Sequence, residues 1–164
     1  MSRIIFAGTL VAACAASTPT QDPAMSNRET VRKLYEECIN TGNVELLAEL
    51  VSDAYVGPNG ERGPDGFRQT VTALRGGFPD IRFTIEDLFA SDDKVAVRWI
   101  WHGTHRGSFR GLAPTGKPLS TTAIVIYQLR DRKIVHSWLQ SDRLGTLQQM
   151  GYVPRDLTTL ARKP

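Results

Sequence analysis

Apolar positions recur three and four residues apart in the first half of the chain and every second residue in much of the rest, with the change of period near Gly76 and Gly77. Val31, Leu34, Tyr35, Cys38 and Ile39 keep the helical period up to Gly42, which predicts a first helix with one apolar stripe. Ser26, with Glu29 three positions later, reads as a capping box at its start. Asn43 is placed to cap a shorter helix that carries Leu46, Leu47 and Leu50, and residues 54–56 read as a brief extended piece. Pro64 and Asp65 open a third helix whose stripe is Phe67, Val71 and Leu74 and whose end is the glycine pair.

Beyond the glycines, Ile81, Phe83 and Ile85 alternate with Arg82, Thr84 and Glu86, as in a half-buried strand. Ser91, Asp92 and Asp93 turn the chain into residues 94–106, where Val95, Val97, Trp99, Trp101 and His105 share one face and Ala96, Arg98, Ile100 and His102 the other. The two strands predict a long antiparallel hairpin. After a loop containing Ala113, Pro114, Thr115 and Gly116, residues 117–129 form another strand, and Arg130 to Arg132 turn into the last. Helices first and antiparallel strands afterwards is an α+β order, with the helices gathered on one face. Such a sheet, curled around the amino-terminal helices, makes a cone enclosing an apolar pocket.

Residues 133–151, the last strand and the segment after it, carry the chain's most unusual pattern. A regular strand here lines up Ile134, His136, Trp138, Gln140 and Asp142 on one face, and a carboxylate in line with Trp and His is costly in a core unless it has partners or a task. Asp142 is therefore the first candidate for chemistry; the competing reading is a plain cap on the next helix. Tyr35, Trp99, Trp101, His105, Trp138 and Asp142 are the pocket candidates, although each Trp also suits an ordinary core.

Composition narrows the field. The chain has 164 residues, 41% of them hydrophobic, enough for one domain with its own core. The net charge is +3, but basic residues are scattered among acids and form no stripe with aromatics, so nucleic acid is not an expected partner. Cys14 and Cys38 form no disulfide framework, and Cys38 reads as core. Residues 1–13 have the order of an export signal, Arg3 before an apolar run, and Val11 to Cys14 resembles a lipobox with Cys14 as the lipidated residue. Residues 14–26 would then be a flexible linker, 27–152 the domain and 153–164 a carboxy-terminal tail. A lipid on Cys14 would be the chain's only membrane attachment. The competing reading starts translation at Met25 and leaves the protein in the cytoplasm.

Three stretches, TGNVELLAEL, GTHRGSFRGLAPTGKPL and DRKIVHSWLQSDRLGTLQQMG, in this order and spacing, make residues 26–152 resemble the SnoaL-like polyketide (ester) cyclase family, within the group whose fold is like nuclear transport factor 2. The resemblance implies a curved antiparallel sheet packed on helices around a deep apolar cavity, and homodimers through the outer sheet face. It also implies an intramolecular aldol closure of a polyketide ester without metal or organic cofactor, with Asp142 as acid and base and His105 lining the pocket. Tyr35, Trp99, Trp101, Trp138, Gln140 and His136 would hold the substrate. Gly103, two positions before His105, offers no side chain where the cyclases have a polar one.

A base that takes a proton beside a carbonyl works best with a pKa raised toward neutrality, which tryptophan walls would supply to Asp142. His105 would hold the oxyanion or orient the acid; its competing role is a histidine satisfied by loop backbone. Metal binding is not expected, because His102 and His105 face opposite sides of a regular strand. The ligand expected on these grounds is a small apolar carbonyl compound, and the rival to the enzyme is a non-catalytic module that merely binds it. The even-numbered face of residues 94–106 is expected to form a homodimer.

Overall fold

The computed structural model describes residues 23–159; Cys14 and the export-like segment lie outside the described residues. Helix α1 spans Pro23–Lys33 and runs without a break into a π-helical turn, Leu34–Ile39. Ser26 is therefore inside the helix and not at its cap, and its carbonyl accepts the Thr30 hydroxyl at 3.2 Å. The stretch read as linker thus includes the first turn of α1. The wide turn, sealed by Asn40 N–H donating to Tyr35 O (3.0 Å), puts Leu34, Tyr35, Cys38 and Ile39 all in the core. Asn40 then docks this end on the sheet: its amide donates to Phe83 O (2.9 Å) and its carbonyl accepts Phe83 N–H (2.7 Å).

A 3₁₀ turn, Val44–Leu46, leads into α2 (Leu47–Leu50), and Asn43 makes no side-chain cap there. Strand β1 (Val51–Val56) is longer than the extended piece expected. Helix α3 (Gly63–Gly77) comes next, with Phe67 and Val71 buried, as the stripe requires. Then come β2 (Arg82–Ser91), β3 (Lys94–Thr104), β4 (Pro118–Arg130), β5 (Lys133–Ser141) and α4 (Arg143–Met150). The sheet order is β1-β5-β4-β3-β2. All neighbours are antiparallel except β1, which runs parallel to β5 with Val51 opposite Ile134, a departure from the purely antiparallel sheet expected.

Residues of β3 and β4 alternate as the sequence predicts: Val95, Val97, Trp99 and Trp101, with Thr121, Ala123, Val125 and Tyr127, face the helices. Burying a Leu such as Leu34 or Leu47 contributes about 1.5–3 kcal/mol, and these face the same core from the helical side. Two bulges break the period elsewhere. In β2, Ile85 pairs with Trp99 but Asp87 with Arg98, so Glu86 is an extra residue; Glu86 and Asp87 both reach the outward Arg98. In β5, Ile134 pairs with Leu129 but His136 with Gln128, so Val135 is extra.

The loop between β3 and β4 returns against the end of α3, where Arg106 and Gly107 N–H groups both donate to Gly77 O at 3.0 Å. A Cβ on Gly107 would stand 2.0 Å from Gly76 O, so the contact needs glycine. Gly107→Ala should therefore lower the unfolding free energy by about 2–4 kcal/mol. Gly76→Ala, whose Cβ meets nothing within 4 Å, should be nearly neutral. Thermal unfolding of the pair checks this: equal midpoints would show that the loop does not bear on α3.

Candidate functional site: an inner cavity and an outer groove

Between α1, α3 and the inner face of the sheet lies a cavity of about 130 Å³. The π-helical turn contributes Tyr35 and Ile39, β1 gives Tyr55, α3 gives Phe67 and Val71, and the strands give Phe83, Trp99, Val125, Tyr127, Ser137 and Leu139. Below the rim the walls are apolar apart from two hydroxyl pairs and Thr70. Trp99 Nε1–H donates to Tyr35 Oη (2.8 Å), which shares a 2.8 Å hydrogen bond with Tyr127 Oη. Tyr55 Oη and Ser137 Oγ share the other, also 2.8 Å. Burial holds the Tyr35 and Tyr127 phenols above their ordinary range, and it pushes Tyr55 up to about 12 against the opposing effect of Ser137. All three are neutral hydroxyls at neutral pH.

Asn59, Glu61 and Arg110 stand at the rim. Burial favours protonation of Glu61, but hydrogen bonds from Asn59 (2.9 and 2.8 Å) and Thr70 (3.5 Å) outweigh it and hold the carboxyl below its usual range. Those bonds tie Glu61 into the loop it closes, which makes it a poor proton acceptor.

Of the residues picked from sequence, Tyr35 and Trp99 line this cavity. Trp101 is on the inner face but packs farther along, 4.9 Å from the Phe78 ring. His105 is fully buried beside Phe78 as well; its Nδ1 is 3.2 Å from Thr115 Oγ1, and its Nε2 has no hydrogen-bond partner among the described residues. It does not reach the cavity lining. His136, Trp138 and Gln140 are turned the other way, because the extra residue Val135 reverses the phase of β5. Ile134 is in the core, but beyond the bulge Ser137 and Leu139 face inward and Trp138 is 46% exposed on the outer face, its ring 4.3 Å from that of His136.

Asp142 is the exposed N-cap of α4, its carboxylate accepting Gly145 N–H at 2.8 Å. It lies so close over Gly145 that a Cβ there would be 2.0 Å from Oδ2, which explains the glycine. Around it is an open groove bounded by Arg98, Ile124, Leu139, Gln140 and Leu144. None of the three tryptophans lines this groove, contrary to the walls expected around the carboxylate. Leu139 is the one residue common to the cavity and the groove.

Sequence reasoning missed Tyr55, Tyr127 and Ser137. Tyr127 was legible from the alternation of β4, where it shares a face with Ala123 and Val125, and its cross-strand partner is Ser137.

The SnoaL-like polyketide cyclase family model matches residues 29–150. Aklanonic acid methyl ester cyclase AcmA of Streptomyces galilaeus is 28% identical over 134 residues, 77% of this chain and 92% of that protein. The crystal structure of IdmH from Streptomyces antibioticus is similar at a TM-score of 0.67 and 31% identity, covering 76% of this chain and 98% of that one. A SnoaL-like protein from Jannaschia sp. CCS1, only 20% identical, shares the fold at a TM-score of 0.73 over 82% of this chain and 98% of its own. By the length of the family match and the identity to IdmH, the chain belongs to the SnoaL-like polyketide cyclase family.

Proposed function

We propose that the protein catalyses a cofactor-independent ring closure of a small apolar carbonyl compound, with Asp142 as the group that takes and returns the proton. One observation carries this reading: Leu139, near the end of β5, lines both the inner cavity and the groove that holds Asp142, and among the described residues Asp142 and Glu61 are the only carboxylates lining either space. A chain of linked carbonyls lying around Leu139 would keep its leading part among the phenols and present a carbon to Asp142. The carboxylate removes a proton from the carbon between two carbonyls, leaving an enolate and a neutral acid. The enolate carbon bonds to a second carbonyl carbon, whose π pair moves to its oxygen, and the acid returns the proton to that alkoxide. The test is proton exchange at the α-carbon of β-keto esters in deuterated water. Exchange above background for at least one ester is expected, and none across a panel would remove the catalytic reading.

A second reading rests on the cap. Asp142 is exposed and already engaged with Gly145, which is all that a binding protein of this fold would ask of it. The cavity then holds the ligand without turnover, and His105, remote from the lining, serves the loop through Thr115.

Under either reading the protein pairs through its outer sheet face. Beside the groove walls Arg98 and Ile124, that face carries Ile100, Ile126 and Trp138, with Ile126 39% and Trp138 46% exposed, and the adjoining Arg98 charge is met by Glu86 and Asp87. An apolar centre with a compensated charge suits a twofold contact. Light scattering at about 50 μM should give twice the chain mass, and Ile126→Asp should give the chain mass. A wild-type monomer would end the proposal.

A further inference from the structure

We propose that the inner cavity selects a neutral ketone of single-ring size, or the leading carbonyl unit of a longer chain, through one hydrogen bond donated to the carbonyl oxygen by the Tyr35–Tyr127 hydroxyl pair. The inference rests on the cavity being the ligand site, as the proposed function has it, and is independent of whether Asp142 is a base.

The hydroxyl protons can be counted. Trp99 spends its one N–H on Tyr35. The two phenols bring two protons, and the 2.8 Å bond between them uses one. If Tyr35 donates to Tyr127, the Tyr127 proton is left over. If Tyr127 donates, Tyr35 accepts twice and its own proton is left over. Either orientation leaves one O–H without an acceptor among the described residues, on side chains only 2% and 4% exposed. Ile39, Val71, Phe83, Val125 and Leu139 have no side-chain acceptor to offer, and the Tyr55–Ser137 pair, which by the same count also keeps one proton, bonds within itself at 2.8 Å, so a preference that outlives the loss of the Tyr35 and Tyr127 hydroxyls would belong to that pair. A ligand carbonyl would complete the array; a hydrocarbon of the same shape would leave a buried donor unmet.

Size and charge narrow the class. An apolar cavity of about 150 Å³ holds benzene, so 130 Å³ admits one small ring. Among the described residues Arg110 is the one cation in the lining, and it is exposed at the rim, so nothing inside pairs with a carboxylate. Burial keeps both phenols protonated, which preserves the donor across the neutral range.

The experiment compares cyclopentanone with methylenecyclopentane, equal in shape but lacking the oxygen, on the full chain by NMR titration, with the bound carbonyl stretch read by infrared difference. Cyclopentanone should bind about tenfold more tightly, since the hydrocarbon leaves a buried donor unmet. Its carbonyl band should fall below its position in hexane. Tyr127→Phe leaves Tyr35 with its own free proton and should keep the preference. Tyr35→Phe combined with Tyr127→Phe removes both protons, and the two ligands should then bind alike. A preference that survives in the double variant, or no binding of either probe, overturns the inference. Should the double variant not fold, the wild-type band decides alone: a bound carbonyl at its hexane position overturns it. Asp142→Asn should leave the affinity for cyclopentanone unchanged, so loss of the proposed base and loss of the donor are read in different assays.

Discussion

Asp142→Asn should lower α-proton exchange by roughly 10²- to 10⁴-fold, the usual contribution of a general acid–base group, and nearer the upper end because one carboxylate both starts and ends the proton cycle. The fold should survive. An Asn carbonyl still accepts Gly145 N–H, so the cap on α4 loses well under about 1 kcal/mol. A buried carboxylate would have brought some stabilisation on neutralisation, but Asp142 is exposed and no such gain arises. Kinetics and stability therefore separate: exchange falls steeply while the thermal midpoint stays within a few degrees. Equal exchange in the two proteins would leave Asp142 as a cap and favour the binding reading.

The second large effect is alkaline. Tyr35, Tyr55 and Tyr127 are each held above the ordinary phenol value by burial, Tyr55 at about 12. In the unfolded chain they ionise near pH 10. A raised pKa in the folded state means that their contribution is complete below about pH 10 and drains away as the pH rises through the folded values. With three such groups the loss approaches about 4 kcal/mol per pH unit. Against a domain stability of about 5–15 kcal/mol, the fold should give way between about pH 11 and 13. Phenolate absorbance from these residues should rise together with the loss of circular dichroism, and Tyr127→Phe should make the transition shallower by about a third. Three phenols titrating near pH 10 in a folded protein would show that water reaches the cavity freely.

How much of the fold and the site was legible in the sequence depended on where the chain stays regular. β3 holds its period from Val95 to Trp101, so its inner face, Trp99 included, could be read by alternation. The helical stripes of α1 and α3 were equally plain, and so was Cys38, a free thiol buried in the core. β5 could not be read in the same way, because the one-residue bulge at Val135 inverts every position after it. Nothing in the run from Ile134 to Gln140 marks that inversion: the segment has apolar residues on both faces, and Ile124 and Ile126 opposite it on β4 are apolar outward as well. Asp142 was recognised as both a cap and a carboxylate at a strand end. That its neighbours would be Arg98 and Gln140 instead of tryptophans depended on the same bulge.

The parallel pairing of β1 with β5 sets the order in which the chain can be completed during synthesis. Val51 and Ile134 are roughly eighty positions apart, and bringing such distant segments together costs about 4 kcal/mol of chain entropy before the contact returns anything. While the ribosome is still making β2, β3 and β4, β1 has no strand to pair with, and Val51 stays open to water or to other nascent chains. The hairpins β2–β3 and β3–β4 close locally and can form first. β5 therefore acts as the latch for α2 and β1: a chain released before residue 134 can already dock the π-helical turn on β2 to β4 through Asn40 and Tyr35, but leaves β1 without its strand partner, an exposed edge prone to aggregation.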